Sequence, residues 1–301
     1  MTALEQPRIL TVHAHPDDEA SKGAGTIARY ADHGARTVLV CCTGGEEGDI
    51  LNPALDVPEI RDNLHQVRRD ELDNACKLIG YQQLHWLGYR DSGMPDSEAN
   101  ARPDAFANAP MDEAVERLVR LIRLERPHVI VTYSDDQQGY RHPDHLMVHD
   151  ITIPAWKAAG DPDAFPDSGD PWRPLKLYYS TWSHARIVAI HQAFLDADIE
   201  SPYDDRWFLR PSQDHRITTR VDVGAWYGRR GDGLRAHATQ IDPDSKFWFG
   251  LPDDVAAAAY PWDDYILAAS RVPVRRPEHD LFAGIAGLAP LGAGDHTGAA
   301  G

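Results

Sequence analysis

The chain predicts an α/β fold, Rossmann-like, with a mainly parallel sheet and helices on both faces. Two observations carry that expectation. Short β-rich runs alternate with amphipathic helical stretches through the first half, and side chains capable of chemistry cluster directly after strands. Arg8–His13 (RILTVH) and Thr37–Thr43 (TVLVCCT) are apolar runs of strand length and read as the first two buried strands. Leu84–Leu87 and the β-branched run His128–Tyr133 (HVIVTY) supply the third and fourth. Between them Leu64, Val67, Leu72, Ala75, Cys76 and Ile79 recur at helical spacing until Gly80 stops the helix. A second helix follows from Ala114, Val115, Leu118, Val119 and Ile122, and Pro127 fixes its end.

The second half differs in composition. Seven of the eight tryptophans lie beyond residue 150. Lys176–Thr181 and Ile217–Val223 read as strands, with a helix near Ala225–Gln240. Asp161–Pro174, rich in Pro, Asp and Gly, reads as a long loop or a domain junction. The resulting division is 1–175, which carries the sheet, 176–286, a smaller aromatic-rich C-terminal region, and 287–301, a Gly- and Ala-rich disordered tail.

Across 301 residues, 30 basic against 47 acidic side chains give a formal charge of −17, the wrong sign for a nucleic-acid partner. No apolar run approaches the ~18 residues of a membrane span, and Met1–Arg8 lacks the pattern of a signal segment. Three cysteines make no disulfide framework, so they read as reduced core thiols and the expected location is the cytoplasm.

Chemistry concentrates in two clusters. His13, His15, Asp17, Asp18 and Glu19 fall within seven residues after the first strand, with Pro16 presenting the acids from a turn. His142-Pro143-Asp144-His145 follows the fourth strand, so both clusters fall on one edge of one sheet. Imidazole with carboxylate suits a divalent metal such as zinc, and three protein ligands with one open position mark a catalytic site. No cysteine lies near either cluster, which argues against a closed structural zinc site. Gly44, Gly45 and Gly48 are too irregular for a dinucleotide fingerprint and read as positions where backbone approaches a ligand closely.

AHPDDE after the first strand and HPDH after a later one resemble the PIG-L/LmbE-like superfamily of metal-dependent de-N-acetylases. Segments such as SKGAGTIARYAD, TGGEEGDILNPALD, RRDEL, DSGMP, HATQIDP and LFAGI are similar to its mycothiol S-conjugate amidase branch, from about Arg8 to Ile285. The resemblance implies His15, Asp18 and His145 as ligands of one zinc (or ferrous) ion per chain, and Asp17 as general base. It further implies Tyr140 as oxyanion donor and His142 as the group that stabilises the intermediate or protonates the amine, with Asp144 holding its tautomer. Arg68 and Asp91 match positions contacting a glucosaminyl-inositol head group, and Lys22 marks the amidase branch. His13 reads as a supporting residue. On this reading 1–175 is the metal-binding catalytic domain and 176–286 completes the substrate pocket.

The reaction so implied is hydrolysis of the amide in mycothiol S-conjugates, giving a mercapturic acid and glucosaminyl-inositol, in thiol-dependent detoxification. Departures at Ala20, Gln138 and Arg141 alter the pocket rim and leave open a dedicated amidase of natural-product (antibiotic) biosynthesis, lincosamide-like. The other enzymatic alternative is deacetylation of N-acetylglucosaminyl-inositol. A non-catalytic sugar- or nucleotide-binding protein has no use for a poised base beside a metal, and a closed metal site needs a fourth ligand.

Overall fold

The computed structural model describes residues 4–137 and 139–291. Gln138 and the tail from 292 lie outside the described residues. Seven strands form one sheet: β1 (Arg8–His13), β2 (Arg36–Thr43), β3 (Gln83–Tyr89), β4 (Val129–Thr132), β5 (Lys176–Thr181), β6 (Thr219–Asp222) and β7 (Trp262–Ser270). Their order is β3-β2-β1-β4-β5-β7-β6. The first five run parallel, β7 is antiparallel to β5, and β6 is antiparallel to β7.

Strand alternation divides the core between two layers. Ile9, Leu39, Cys41, Val129 and Val131 face the helices Ala24–Asp32, Leu64–Ile79 and Gly228–Ala236. Leu10, Val12, Val40, Cys42 and Ile130 face the helices Met111–Glu125 and Pro143–Ala158. The neighbouring thiols Cys41 and Cys42 therefore point into opposite layers, and both are buried and unpaired. Gly80 ends the helix Leu64–Ile79 with φ +105°, its N–H donating to the Cys76 carbonyl at 2.9 Å.

The placement of the site follows from the strand order. The chain leaves β1 for β2 on one side and returns to β4 on the other, so the carboxyl ends of β1 and β4 flank the crevice where the winding reverses. Both chemical clusters emerge there.

The second half extends the same sheet. Asp161–Pro174 is bound to the first half by Arg123, 4% exposed, whose guanidinium donates to the carbonyls of Ala158, Ala159, Asp161, Ala164, Phe165 and Gly169. β5 then pairs with β4, so the sheet runs across position 175. The expected strand Ile217–Val223 is shorter, at Thr219–Asp222. The expected helix Ala225–Gln240 is the 3₁₀ turn Gly224–Trp226 followed by the α-helix Gly228–Ala236. β7 was not anticipated, because its Asp263 and Asp264 mask the apolar run. Both are buried and partnered: Asp263 accepts from the Thr26 N–H and hydroxyl, and Asp264 from Ser183 and Tyr260. At residues 287–291 the disorder expectation is corrected, since Glu5 N–H donates to Gly287 O and Ala289 N–H to Glu5 O.

At the end of the sheet opposite the crevice, Lys176 Nζ meets Glu278 Oε1 at 2.7 Å, with both side chains buried. Tyr178 and Thr219 donate to the other oxygen, Oε2. Removing the carboxylate strands an ammonium in the core. We expect Glu278→Ala to lose about 3–5 kcal/mol in urea unfolding, and the apolar pair Lys176→Met/Glu278→Leu to lose far less.

Candidate metal and catalytic site

β1 stops at His13, and the chain turns through Pro16 into the short helix Asp18–Ser21. Asp17 holds the turn in the left-handed region, φ +105°, a costly conformation for a residue with a Cβ. Two partners fix it there. Its N–H donates to Glu19 Oε2 at 2.9 Å, and its Oδ2 accepts from Arg68 at 3.1 Å. On the other strand, the chain leaves β4 at Thr132 and re-enters helix at Pro143. His142 is the N-cap of that helix, with Nδ1 accepting the Asp144 N–H at 3.2 Å.

His15, Asp18 and His145 converge from these two ends. His15 Nδ1 lies 3.4 Å and His145 Nε2 3.3 Å from the same oxygen, Asp18 Oδ2. Donors around a tetrahedral ion at ~2.0–2.2 Å stand ~3.3–3.6 Å apart, so each imidazole has the spacing to Asp18 that a zinc-like cation requires, and all three ligand atoms lie within 4.8 Å of one another. The other His15 nitrogen, Nε2, meets Asp144 Oδ2 at 3.1 Å, the carboxylate support that orients metal-binding imidazoles. Asp144 is in turn held by the Ser92 N–H and hydroxyl. A second grouping, His15, Asp91 and His142, uses that same Nε2 side. Asp91 already accepts from the N–H groups of Gly93 and Glu47, which suits it to support rather than ligation.

The electrostatics describe a site built for positive charge. Burial opposes a proton on His15, yet Asp144, Asp18 and Asp91 hold its pKa well above the usual imidazole value. Burial also opposes ionisation of Asp18, and Lys22 and His145 overcome it, holding the carboxyl well below its usual range. Burial pushes His145 and His142 down to about 4, so both are neutral imidazoles near pH 7. Asp17 is raised by burial, with Arg68 opposing.

The remaining expected residues fall in or beside one cavity of about 730 Å³, within the range of small-molecule sites. Asp91, Lys22, Arg68, Tyr140 and His142 line it. Arg68 is 3% exposed and spends its guanidinium on Asp17 and the carbonyls of Pro16 and Gly45. Lys22 Nζ lies 2.5 Å from Asp18 Oδ1. Tyr140 stands at the rim, 56% exposed, its ring 5.4 Å from that of His145. Arg141 is exposed outside the lining. The Asp144 carboxylate faces His15 and Ser92 and not His142. It is the Asp144 backbone that fixes the His142 tautomer, leaving the proton of the neutral ring on Nε2. A Cβ on Gly45 would collide with the Arg68 guanidinium, and one on Gly48 would meet Arg68 at 2.6 Å, so these glycines make room for Arg68. His13 is buried edge-on to Tyr133, with no hydrogen-bond partner among the described residues.

Sequence reasoning missed the residues behind the turn. His237 Nε2 meets Glu19 Oε1 at 2.7 Å with both side chains fully buried, and Glu19 carries the Asp17 N–H. Beside it, Thr239 donates its N–H and hydroxyl to Glu71. HATQIDP carries part of the family resemblance, but no spacing ties His237 to a residue 218 positions earlier.

A family model described as PIG-L, GlcNAc-PI de-N-acetylase, matches residues 10–156. The chain is 44% identical over 290 residues to a mycothiol S-conjugate amidase of Streptomyces coelicolor, covering 93% of this chain and 98% of the relative. The chain belongs to the PIG-L family. It is also 39% identical over 297 residues to a 1D-myo-inositol 2-acetamido-2-deoxy-alpha-D-glucopyranoside deacetylase of Streptomyces scabiei, covering 93% of this chain and 90% of that one. N,N'-diacetylchitobiose deacetylase from Pyrococcus horikoshii shares the fold with TM-score 0.61, over 86% of this chain and 83% of that chain, at 18% identity. Like its relatives, this PIG-L protein is a hydrolase of the amidase and deacetylase kind. The family is metal-dependent, and the donors present here fit a divalent ion. No helix among the described residues is long and apolar enough to cross a membrane.

His145→Ala removes one of three donors and is expected to abolish stoichiometric metal binding. Asp144→Asn, which weakens the support of His15, should lower metal affinity about 10–100-fold. Competition against a chromophoric chelator measures both.

Proposed function

We propose that this PIG-L protein hydrolyses the amide joining an S-substituted N-acetylcysteine to glucosaminyl-inositol, releasing a mercapturic acid and the free amino sugar, with one zinc ion per chain. The observation that carries the reading is a zinc-spaced donor set beside a partly exposed, rigidly held carboxylate in one large cavity. The choice of substrate follows the higher identity to the amidase, 44% against 39% for the deacetylase, both over 93% of this chain.

His15, Asp18 and His145 would hold the ion, which when bound supplies Lewis-acid strength toward water and the amide carbonyl. Asp17 acts as general base. Its side chain is 30% exposed, while Arg68 and the Glu19-bound backbone N–H keep it from turning away. It takes a proton from water as the water oxygen attacks the carbonyl carbon. Tyr140, at the rim, donates to the developing oxyanion. His142, neutral with its proton on Nε2, donates a hydrogen bond that stabilises the tetrahedral intermediate, and Asp17 passes the proton it took from water to the nitrogen as the C–N bond breaks. Asp144 keeps His15 and His142 in these orientations. Arg68 acts through Asp17, while Asp91 and Lys22 border the head-group and cysteinyl sides.

The test pairs two substrates and one variant. We expect a higher kcat/KM on a mycothiol S-conjugate than on N-acetylglucosaminyl-inositol, and the opposite ranking would place the protein with the deacetylases. Asp17→Asn should retain its metal yet lose about 10²–10⁴-fold in turnover. Near-parental turnover in that variant would remove Asp17 from the chemistry.

A further inference from the structure

The cavity extends well past the ligand set, and its two sides differ in character. Asp91, Glu47, Asp49 and Gln240 make one side polar, suited to a hydroxyl-rich head group. The other is walled by Trp182, Trp207, Phe247 and Trp248, brought from three separate segments of the second half. Phe247 stacks between Trp182 (5.8 Å, 15°) and Trp207 (5.3 Å, 27°). Trp248 stands edge-on to Trp182 and Phe247. None of the four is fully buried, unlike core rings such as Tyr178 and Phe194.

Two features fix what this wall accepts. The stack is closed at its ends, with the Arg210 guanidinium 4.0 Å over Trp207 and that of Arg186 4.8 Å over Trp182. The faces of the three stacked rings are thus spent on one another and on guanidinium groups, and their edges remain for a ligand. Aromatic edges are electropositive and favour the face of another ring. The same edges, with two guanidinium groups beside them, repel a cation. The wall is also continuous with the catalytic turn, since Trp182 Nε1–H points to Ser21 O at 3.4 Å, at the end of the helix that begins with Asp18.

We propose that this aromatic wall is a subsite for the sulfur-linked group of the substrate, and that it selects a neutral aromatic substituent over a small alkyl or a cationic one. The inference rests on the amidase reading. With the amide carbonyl at Asp17 and the polyol on the polar side, the acyl portion and its sulfur substituent extend along the Trp182 side. Binding energy gained there is remote from the reacting carbonyl and can be realised in the transition state.

The experiment compares S-benzyl, S-methyl and S-(2-aminoethyl) conjugates of mycothiol on the zinc-loaded protein. The benzyl conjugate should exceed the methyl one about tenfold in kcat/KM, from edge-to-face contact added to apolar burial. The aminoethyl conjugate should be no better than the methyl. Trp207→Leu and Phe247→Ala should each lower kcat/KM for the benzyl conjugate at least about fivefold more than for the methyl one. A parent that does not discriminate, or variants that lower both substrates equally, would overturn the subsite. A binding measurement keeps this separate from the amidase reading. N-acetyl-S-benzylcysteine should quench the tryptophan fluorescence of the parent at lower concentration than N-acetyl-S-methylcysteine, and Trp207→Leu should remove the difference. If no conjugate is cleaved but that difference appears, the amidase reading fails and the subsite stands. If conjugates are cleaved and it does not appear, the subsite fails and the amidase reading stands.

Discussion

Four carboxylates converge at the carboxyl ends of β1 and β4, those of Asp18, Asp91 and Asp144 buried and that of Asp17 partly exposed. Buried negative charge of that density is tolerated only where hydrogen bonds and cations answer each oxygen. Ser92 answers Asp144, the backbone of Glu47 and Gly93 answers Asp91, Lys22 answers Asp18 and Arg68 answers Asp17. His15 stands in the middle and touches three of the four. What the arrangement leaves for an ion is one common corner, Asp18 Oδ2 with the two imidazoles facing it.

The same constraint joins the two halves of the chain. Asp17 adopts a backbone conformation it would not choose alone, and the strain is held by Glu19 on one side and Arg68 on the other. Glu19 is held by His237, and the loop behind it by the Glu71–Thr239 bonds. The second half therefore helps position Asp17 as well as walling the cavity. The hydrogen bond between Glu19 and a fully buried imidazole braces the turn from behind.

Extending a parallel sheet with β5, β7 and β6 buries acids that would normally lie outside. Asp263 and Asp264 survive in β7 because the Thr26, Ser183 and Tyr260 donors reach them from neighbouring elements. Glu278 survives at the far edge because Lys176, Tyr178 and Thr219 surround it. Polar contacts of this kind are directional, so they register these strands against the rest of the sheet more strictly than apolar packing would.

By itself the sequence determined the parallel half of the fold and the two clusters of chemical side chains that the fold brings together. β1, β2 and β4 are continuous apolar runs because both sheet faces are covered, and β5 matches its expected residues end to end. His15, Asp17, Asp18, His142 and His145 were legible because a parallel sheet gathers the residues beyond its strand ends on one edge. Only tertiary structure decided the rest. β7 was hidden, since a pair of acids in a strand reads as a loop until their partners are known. Arg68 and Lys22 looked like substrate contacts, but the folded chain brings Asp17 and Asp18 within reach of them first. Asp144 looked like the partner of His142, two residues away, while its carboxylate turns to His15 across the crevice. His237 carried no local signal at all, because its meaning depends on Glu19, far away in sequence and adjacent only once the helices Gly228–Ala236 and Asp18–Ser21 meet. Local pattern reports which face a residue takes, and partners distant in sequence are chosen by packing.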